Sequence, residues 1–171
     1  IINHFEGVLK AVDIDLIIYN IPQLTNSYVD IETIKYLKSQ YSQISGIKDS
    51  SGDMRYFTKL MEIKDKNFSV FQGQDDLLLI SLVLGADGGV CGTSNFSDLI
   101  VKLYNAYQSG DMERARSIQM NVNNLFNALS LANFPSGYYH ALYHKFNIQG
   151  GYRKPMVPPE EKVARLIEKY L

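Results

Sequence analysis

Short apolar runs alternate with longer stretches of helical spacing through the first two thirds of the chain. Residues 2–11 carry the spacing of an amphipathic helix, and 14–19 predict a strand rich in branched side chains. Pro22 and Asn26 mark the loop that follows, and Asp30 is the expected N-cap of a helix running to about residue 41. A second strand is predicted over 44–48, and Asp53 opens a helix to about residue 63. Residues 68–72 predict a third strand, closed by Gly73. Asp75 or Asp76 is expected to cap the next helix, which ends near Gly85. A glycine-rich fourth strand over 88–92 precedes a helix starting near Ser97. From Asp111 the pattern is wholly helical, with segments 111–131, 136–147 and 159–170 broken by Pro135 and by the stretch from Gly150 to Pro159.

Short, mostly apolar strands alternating with helices predict parallel strands covered on both faces. Four strands cannot close an eight-stranded barrel, which takes about 250 residues. The expected fold is therefore α/β: the second half of a TIM (β/α)8 barrel over 1–110, then a C-terminal helical extension over 111–171, with an open sheet as the alternative. The chain starts without a Met and already inside a helical pattern, which favours the half-barrel.

Composition narrows the function classes. A chain of 171 residues, 46% hydrophobic, can bury the core of one ordinary domain. Lys plus Arg number 17 against 18 for Asp plus Glu, so no basic field draws nucleic acid. The sequence shows neither a membrane-spanning apolar run nor a signal peptide, which points to a soluble, cytoplasmic protein without a membrane partner. The single Cys91 cannot form an internal disulfide, and CxxC and HExxH metal motifs are absent.

Lys48 is the strongest chemical candidate. The second strand delivers it to its C-terminal end, and the polar turn Asp49-Ser50-Ser51-Gly52-Asp53 follows. Barrel active sites gather at that end of the strands. A lysine held among apolar neighbours loses hydration, which favours the neutral amine that attacks carbonyls. Tyr19 ends the preceding strand at the same rim, where a phenol can relay protons, although a rim tyrosine can equally be structural. Gly73-Gln74-Asp75-Asp76 combines a close-approach glycine with carboxylates that can accept hydrogen bonds from hydroxyls or cap a helix. The run from Gly85 to Asn95 is rich in small residues yet lacks the GxGxxG spacing. Cys91 reads as a small buried strand residue. His140 and His144 share a helix face, and two imidazoles alone make a poor metal site.

Taken together, Tyr19-Asn20-Ile21-Pro22, Gly46-Ile47-Lys48-Asp49-Ser50-Ser51-Gly52-Asp53, Gly73-Gln74-Asp75-Asp76 and Gly85-Ala86-Asp87-Gly88-Gly89-Val90 closely resemble the second half of the dihydrodipicolinate synthase / N-acetylneuraminate lyase family. Tyr152-Arg153-Lys154-Pro155 resembles that family's ending. The resemblance implies a pyruvate-dependent class I aldolase or lyase, commonly a homotetramer, that needs no cofactor beyond a covalent imine with its keto-acid substrate. It implies that Lys48 is the Schiff-base lysine and Tyr19 the proton relay. Val90 matches the position whose backbone carbonyl faces the bound pyruvyl group. Ser50, Gly73, Asp75 and Gly92 fall where relatives contact the variable part of the substrate. The turn that grips the pyruvate carboxylate would lie before residue 1, so a competent site needs the other half of the barrel.

Substrate choice follows from departures within the resemblance. Synthases of the family place an arginine where this chain has Leu24, which argues against that activity and is similar to the lyases. Ser136-Gly137-Tyr138-Tyr139 is similar to archaeal 2-keto-3-deoxygluconate aldolases, and the Asp49-Ser50 pair leans the same way. The expected function is cleavage of a 2-keto-3-deoxy sugar acid to pyruvate and an aldehyde. N-acetylneuraminate lyase or a dihydrodipicolinate synthase-like enzyme is the alternative within the family, and a non-catalytic keto-acid-binding barrel is the alternative outside it.

Overall fold

A computed structural model describes residues 1–171. Four parallel strands, β1 (Leu16–Asn20), β2 (Ile44–Asp49), β3 (Ser69–Gln72) and β4 (Gly88–Gly89), pair in sequence order. Parallel neighbours require crossovers. These are supplied by α2 (Pro22–Thr25) with α3 (Ile31–Gln40), by α4 (Met54–Ile63), and by α5 (Leu78–Val83), while α1 (Ile2–Ala11) precedes the sheet. Helices α6 (Leu99–Gln108), α7 (Met112–Ser130), α8 (Ser136–Phe146) and α9 (Glu161–Tyr170) complete the chain. The chain packs as two compact units, Ile1–Val90 and Cys91–Leu171, dividing ahead of the purely helical stretch that starts at Asp111. No helix is long and apolar enough to cross a membrane.

The expected caps at two helices are present. Asp30 accepts the Thr33 N–H at 2.8 Å at the head of α3, and Asp53 accepts the N–H groups of Arg55 and Tyr56 at 2.8 and 3.2 Å at the head of α4. Each satisfies donors that the first helical turn leaves unpaired. Gly52, at φ +77°, makes the left-handed turn that carries β2 into α4.

Two expectations are corrected. The fourth strand shrinks to Gly88–Gly89, because glycines bring no side chains to pack; Val90 still donates its N–H to Gln72 O at 2.9 Å, and the chain then leaves the ladder. Neither Asp75 nor Asp76 is a helix cap. Gln72 Oε1 already accepts the N–H groups of Gly73 and Gln74, each at 2.9 Å, and a 3₁₀ turn over Asp75–Leu77 intervenes before α5 begins.

In the first unit, alternation from Ile18 and Ile47 onward sorts residues into rows. Ile18, Ile47 and Val70 lie side by side, each 1% exposed or less, and pack with Leu37 of α3 and with Phe57 and Leu60 of α4. The next row, Tyr19, Lys48 and Phe71, points to the other face. The last row returns to the helix side and is polar: Asn20, Asp49 and Gln72 are each only 1% exposed. The second unit has its own core, in which Leu125 and Leu129 of α7, Ala141 of α8 and Ile167 of α9 pack with Phe96.

Candidate active site

Register places Tyr19 directly opposite Lys48 at the C-terminal rim of the sheet. The Lys48 Nζ lies 4.1 Å from the centroid of the Tyr19 ring. Tyr19, Lys48 and Phe71 share one face of the sheet, so amine and phenol lie on the same side of it. A side chain on Gly73 would overlap Ser50 Oγ, and its Cβ would stand 2.9 Å from Lys48 Cε and 3.0 Å from Asp49 O. Glycine is thus what lets the ends of β2 and β3 close on one another. The Ser50 hydroxyl is buried beside them and has no hydrogen-bond partner. An unmet buried hydroxyl carries a desolvation cost that a ligand group can remove.

On the helix side of the sheet the polar row fixes the strand ends. Asn20 Nδ2 donates to Asp49 Oδ1 at 2.8 Å, and Val29 N–H donates to Asn20 Oδ1 at 3.2 Å. Ser51 donates to the same carboxylate from its N–H at 3.1 Å and from its hydroxyl at 2.9 Å. Gln72 Nε2 donates to Ser81 Oγ at 2.7 Å. Backbone bonds carry the ladder past the strands, from Ser50 N–H to Asn20 O at 2.8 Å and from Gly73 N–H to Asp49 O at 2.7 Å. Burial pushes the Asp49 carboxyl above the usual carboxylate range, although the Asn20 and Ser51 donors pull the other way. Tyr28 is pushed up to about 12 by burial and by the negative charges of Asp53 and Asp49.

Five of the expected site residues therefore fall within the first unit's sheet rim: Lys48, Tyr19, Ser50, Gly73 and Val90, the last at the end of β4. Asp75 lies buried in the 3₁₀ turn after β3, and burial raises the carboxyl of its neighbour Asp76. Gly92 belongs to the second unit, where a side chain on it would overlap Cε1 of Tyr138. Asn20, Gln23 and Gln74 also hold the rim, and the positions of the two glutamines in the sequence do not single them out. A polar residue two positions beyond Ile18 on a strand is the available signal for Asn20, since it repeats the buried face. His140 Nε2 sits 2.9 Å from Glu168 Oε1 and His144 Nδ1 3.5 Å from it, joining α8 to α9. No group of three or more His, Cys, Asp or Glu side chains is arranged to hold a metal ion.

The family model described as the dihydrodipicolinate synthetase family matches residues 1–171. The chain belongs to that family. It is 52% identical over 157 residues to the 2-dehydro-3-deoxy-D-gluconate/2-dehydro-3-deoxy-phosphogluconate aldolase of Picrophilus torridus, covering 91% of this chain and 58% of that protein. It is 32% identical over 172 residues to the 4-hydroxy-tetrahydrodipicolinate synthase of Chlorobium limicola, covering 100% of this chain and 58% of that one. The solved 2-keto 3-deoxygluconate aldolase from Picrophilus torridus superposes with a TM-score of 0.89 at 49% identity, over 93% of this chain and 58% of the other. The chain thus spans rather more than half the length of these relatives, and its four βα units are a segment of the family's (β/α)8 barrel.

Proposed function

We propose that the complete protein is a Schiff-base aldolase that cleaves a 2-keto-3-deoxy sugar acid to pyruvate and an aldehyde. The observation that carries this reading is the Lys48 amine over the Tyr19 ring, on paired strands at the rim. The similarity to an aldolase at 52% identity supports it, and so does leucine at position 24, where a synthase's arginine is expected.

In this reading the Lys48 amine attacks the keto carbon and water leaves, giving a protonated imine. Tyr19 takes the proton from the C4 hydroxyl as the C3–C4 bond breaks. The bond's electron pair moves into the imine, releasing the aldehyde and leaving an enamine. Protonation of the enamine at C3 and hydrolysis then return pyruvate and the free lysine. Ser50 Oγ, buried and without a protein partner, offers a hydrogen bond to a hydroxyl of the substrate's variable end. Gly73 leaves room for that end, Asp75 is a further expected contact to it, and the Val90 carbonyl is expected to face the pyruvyl group. No metal or organic cofactor enters, because the imine supplies the activation. The pyruvate carboxylate is held from outside residues 1–171, so the reaction is a property of the complete barrel.

Pyruvate release from 2-keto-3-deoxygluconate and from N-acetylneuraminate, measured side by side, tests the substrate. The reading expects turnover of the first to exceed the second by at least about 100-fold, the discrimination available to a site built around substrate hydroxyls. Preference for N-acetylneuraminate would move the protein to the lyase branch, and binding of pyruvate without any turnover would make it a keto-acid-binding barrel.

A further inference from the structure

Ser50 is held from both sides by two glutamines. Gln23, in α2 after β1, donates its Nε2 to Ser50 O at 2.8 Å and to Ser51 O at 2.9 Å. Gln74, just after β3, donates its Nε2 to the same Ser50 O at 2.8 Å. One carbonyl with two lone pairs is thereby saturated by side chains from the two loops that flank it. Gln74 is itself anchored, since its N–H donates to Gln72 Oε1 at 2.9 Å. The Ser50 N–H is committed to Asn20 O. Every backbone hydrogen-bonding group of Ser50 is therefore used, while its hydroxyl, buried beside Lys48 and Gly73, is left open.

A hydroxyl is a useful selector only if its carrier cannot rotate away from the ligand. Solvent would bond the Ser50 carbonyl equally well if nothing more than satisfaction were needed. Two amides converging on it from separate loops instead tie three consecutive βα connections to a single residue. The partners lie 27 and 24 positions from Ser50, so each bond closes a long loop for the sake of one carbonyl.

We infer that Gln23 and Gln74 are positioning residues that clamp the Ser50 backbone so that its hydroxyl selects the hydroxylated end of the substrate. This rests on the aldolase reading above. The clamp acts on the part of the substrate that pyruvate lacks, so it separates recognition of the sugar chain from formation of the imine.

The test compares wild type, Gln23→Met, Gln74→Met, the paired change and Ser50→Ala in the complete protein. Gln23→Glu and Gln74→Glu serve as second variants that keep the shape and lose the donor. Two quantities are read: kcat/KM for 2-keto-3-deoxygluconate cleavage, and the rate of borohydride trapping with pyruvate. The clamp predicts a fall in kcat/KM of about five- to tenfold for each glutamine change, the scale of one hydrogen bond, with pyruvate trapping within about twofold of wild type. In a Ser50→Ala background the glutamine changes should add nothing further, since they act through that hydroxyl. Unchanged kcat/KM, full additivity with Ser50→Ala, or an equal loss of pyruvate trapping would each overturn the clamp, the last by making the glutamines a general brace. A wild type that traps no pyruvate would overturn the aldolase reading and the clamp with it, a result distinct from these.

Discussion

Asn20 and Asp49 hydrogen-bond across β1 and β2 at 2.8 Å, one register position beyond Tyr19 and Lys48. The buried pair ties the strand that presents the phenol to the strand that presents the amine, right at the rim where those two side chains meet. Asn20→Ala removes a donor from a buried carboxylate and an acceptor from the Val29 N–H. It should cost about 1–3 kcal/mol of stability, the range for leaving buried polar groups unmet, as read from denaturant unfolding.

Asp49 also sets a pH dependence. Burial raises its carboxyl above the unfolded value, so the folded state holds that proton more tightly. Its contribution to stability is full below the ordinary carboxylate range and is lost as pH rises through the raised folded value. Subtracting the Asp49→Asn stability curve from that of wild type should leave a difference that favours wild type most at acid pH and shrinks as pH rises. Parallel curves would show that the carboxyl titrates alike in both states.

Gly73→Ala should drive a methyl group onto Ser50 Oγ and toward Lys48 Cε. The expected cost is about 1–3 kcal/mol of stability, typical of overpacking, with pyruvate trapping slowed at least about tenfold, as misplacement of a reacting group does. Gly7→Ala is the matched control, because nothing lies within 4 Å of a side chain there. Equal trapping by both variants would contradict the crowding at Gly73.

The first unit was largely visible in its short apolar runs, because strands covered on both faces are mostly apolar and the caps of α3 and α4 sit where Asp30 and Asp53 predict. The placement of Lys48 and Tyr19 side by side was visible because each stands at the end of a strand and the two strands pair in parallel. What failed was local. The uncapped α5 depends on how Gln72 spends its side chain, which no pattern in residues 72–78 reveals. The Asn20–Asp49 bond and the glutamines on Ser50 join positions 24 to 29 apart, and only strand register brings them together.

In the second unit, Tyr138 occupies the space a side chain at Gly92 would need, and its ring lies 5.6 Å from that of Phe134 and 6.1 Å from that of Phe96. Gly92→Ala should destabilise by about 1–3 kcal/mol, and less in a Tyr138→Leu background, where the ring is gone. Strict additivity of the two changes in thermal unfolding would contradict the overlap.

Tyr19→Phe removes a hydroxyl from a half-exposed ring and leaves the ring under Lys48 in place. Cleavage by the complete protein should fall by roughly 100-fold, as loss of a general acid–base does. A rate near wild type would assign the proton transfer to another group.

The central claim is that Lys48 forms an imine. Intact and peptide mass spectra of the complete protein, taken after incubation with pyruvate and borohydride, test it most directly. The account predicts a gain of about 72 Da for the reduced pyruvyl imine, located on the peptide that contains Lys48 and absent from a folded Lys48→Ala variant. An adduct on another lysine, an adduct that survives in Lys48→Ala, or no adduct at all would contradict it.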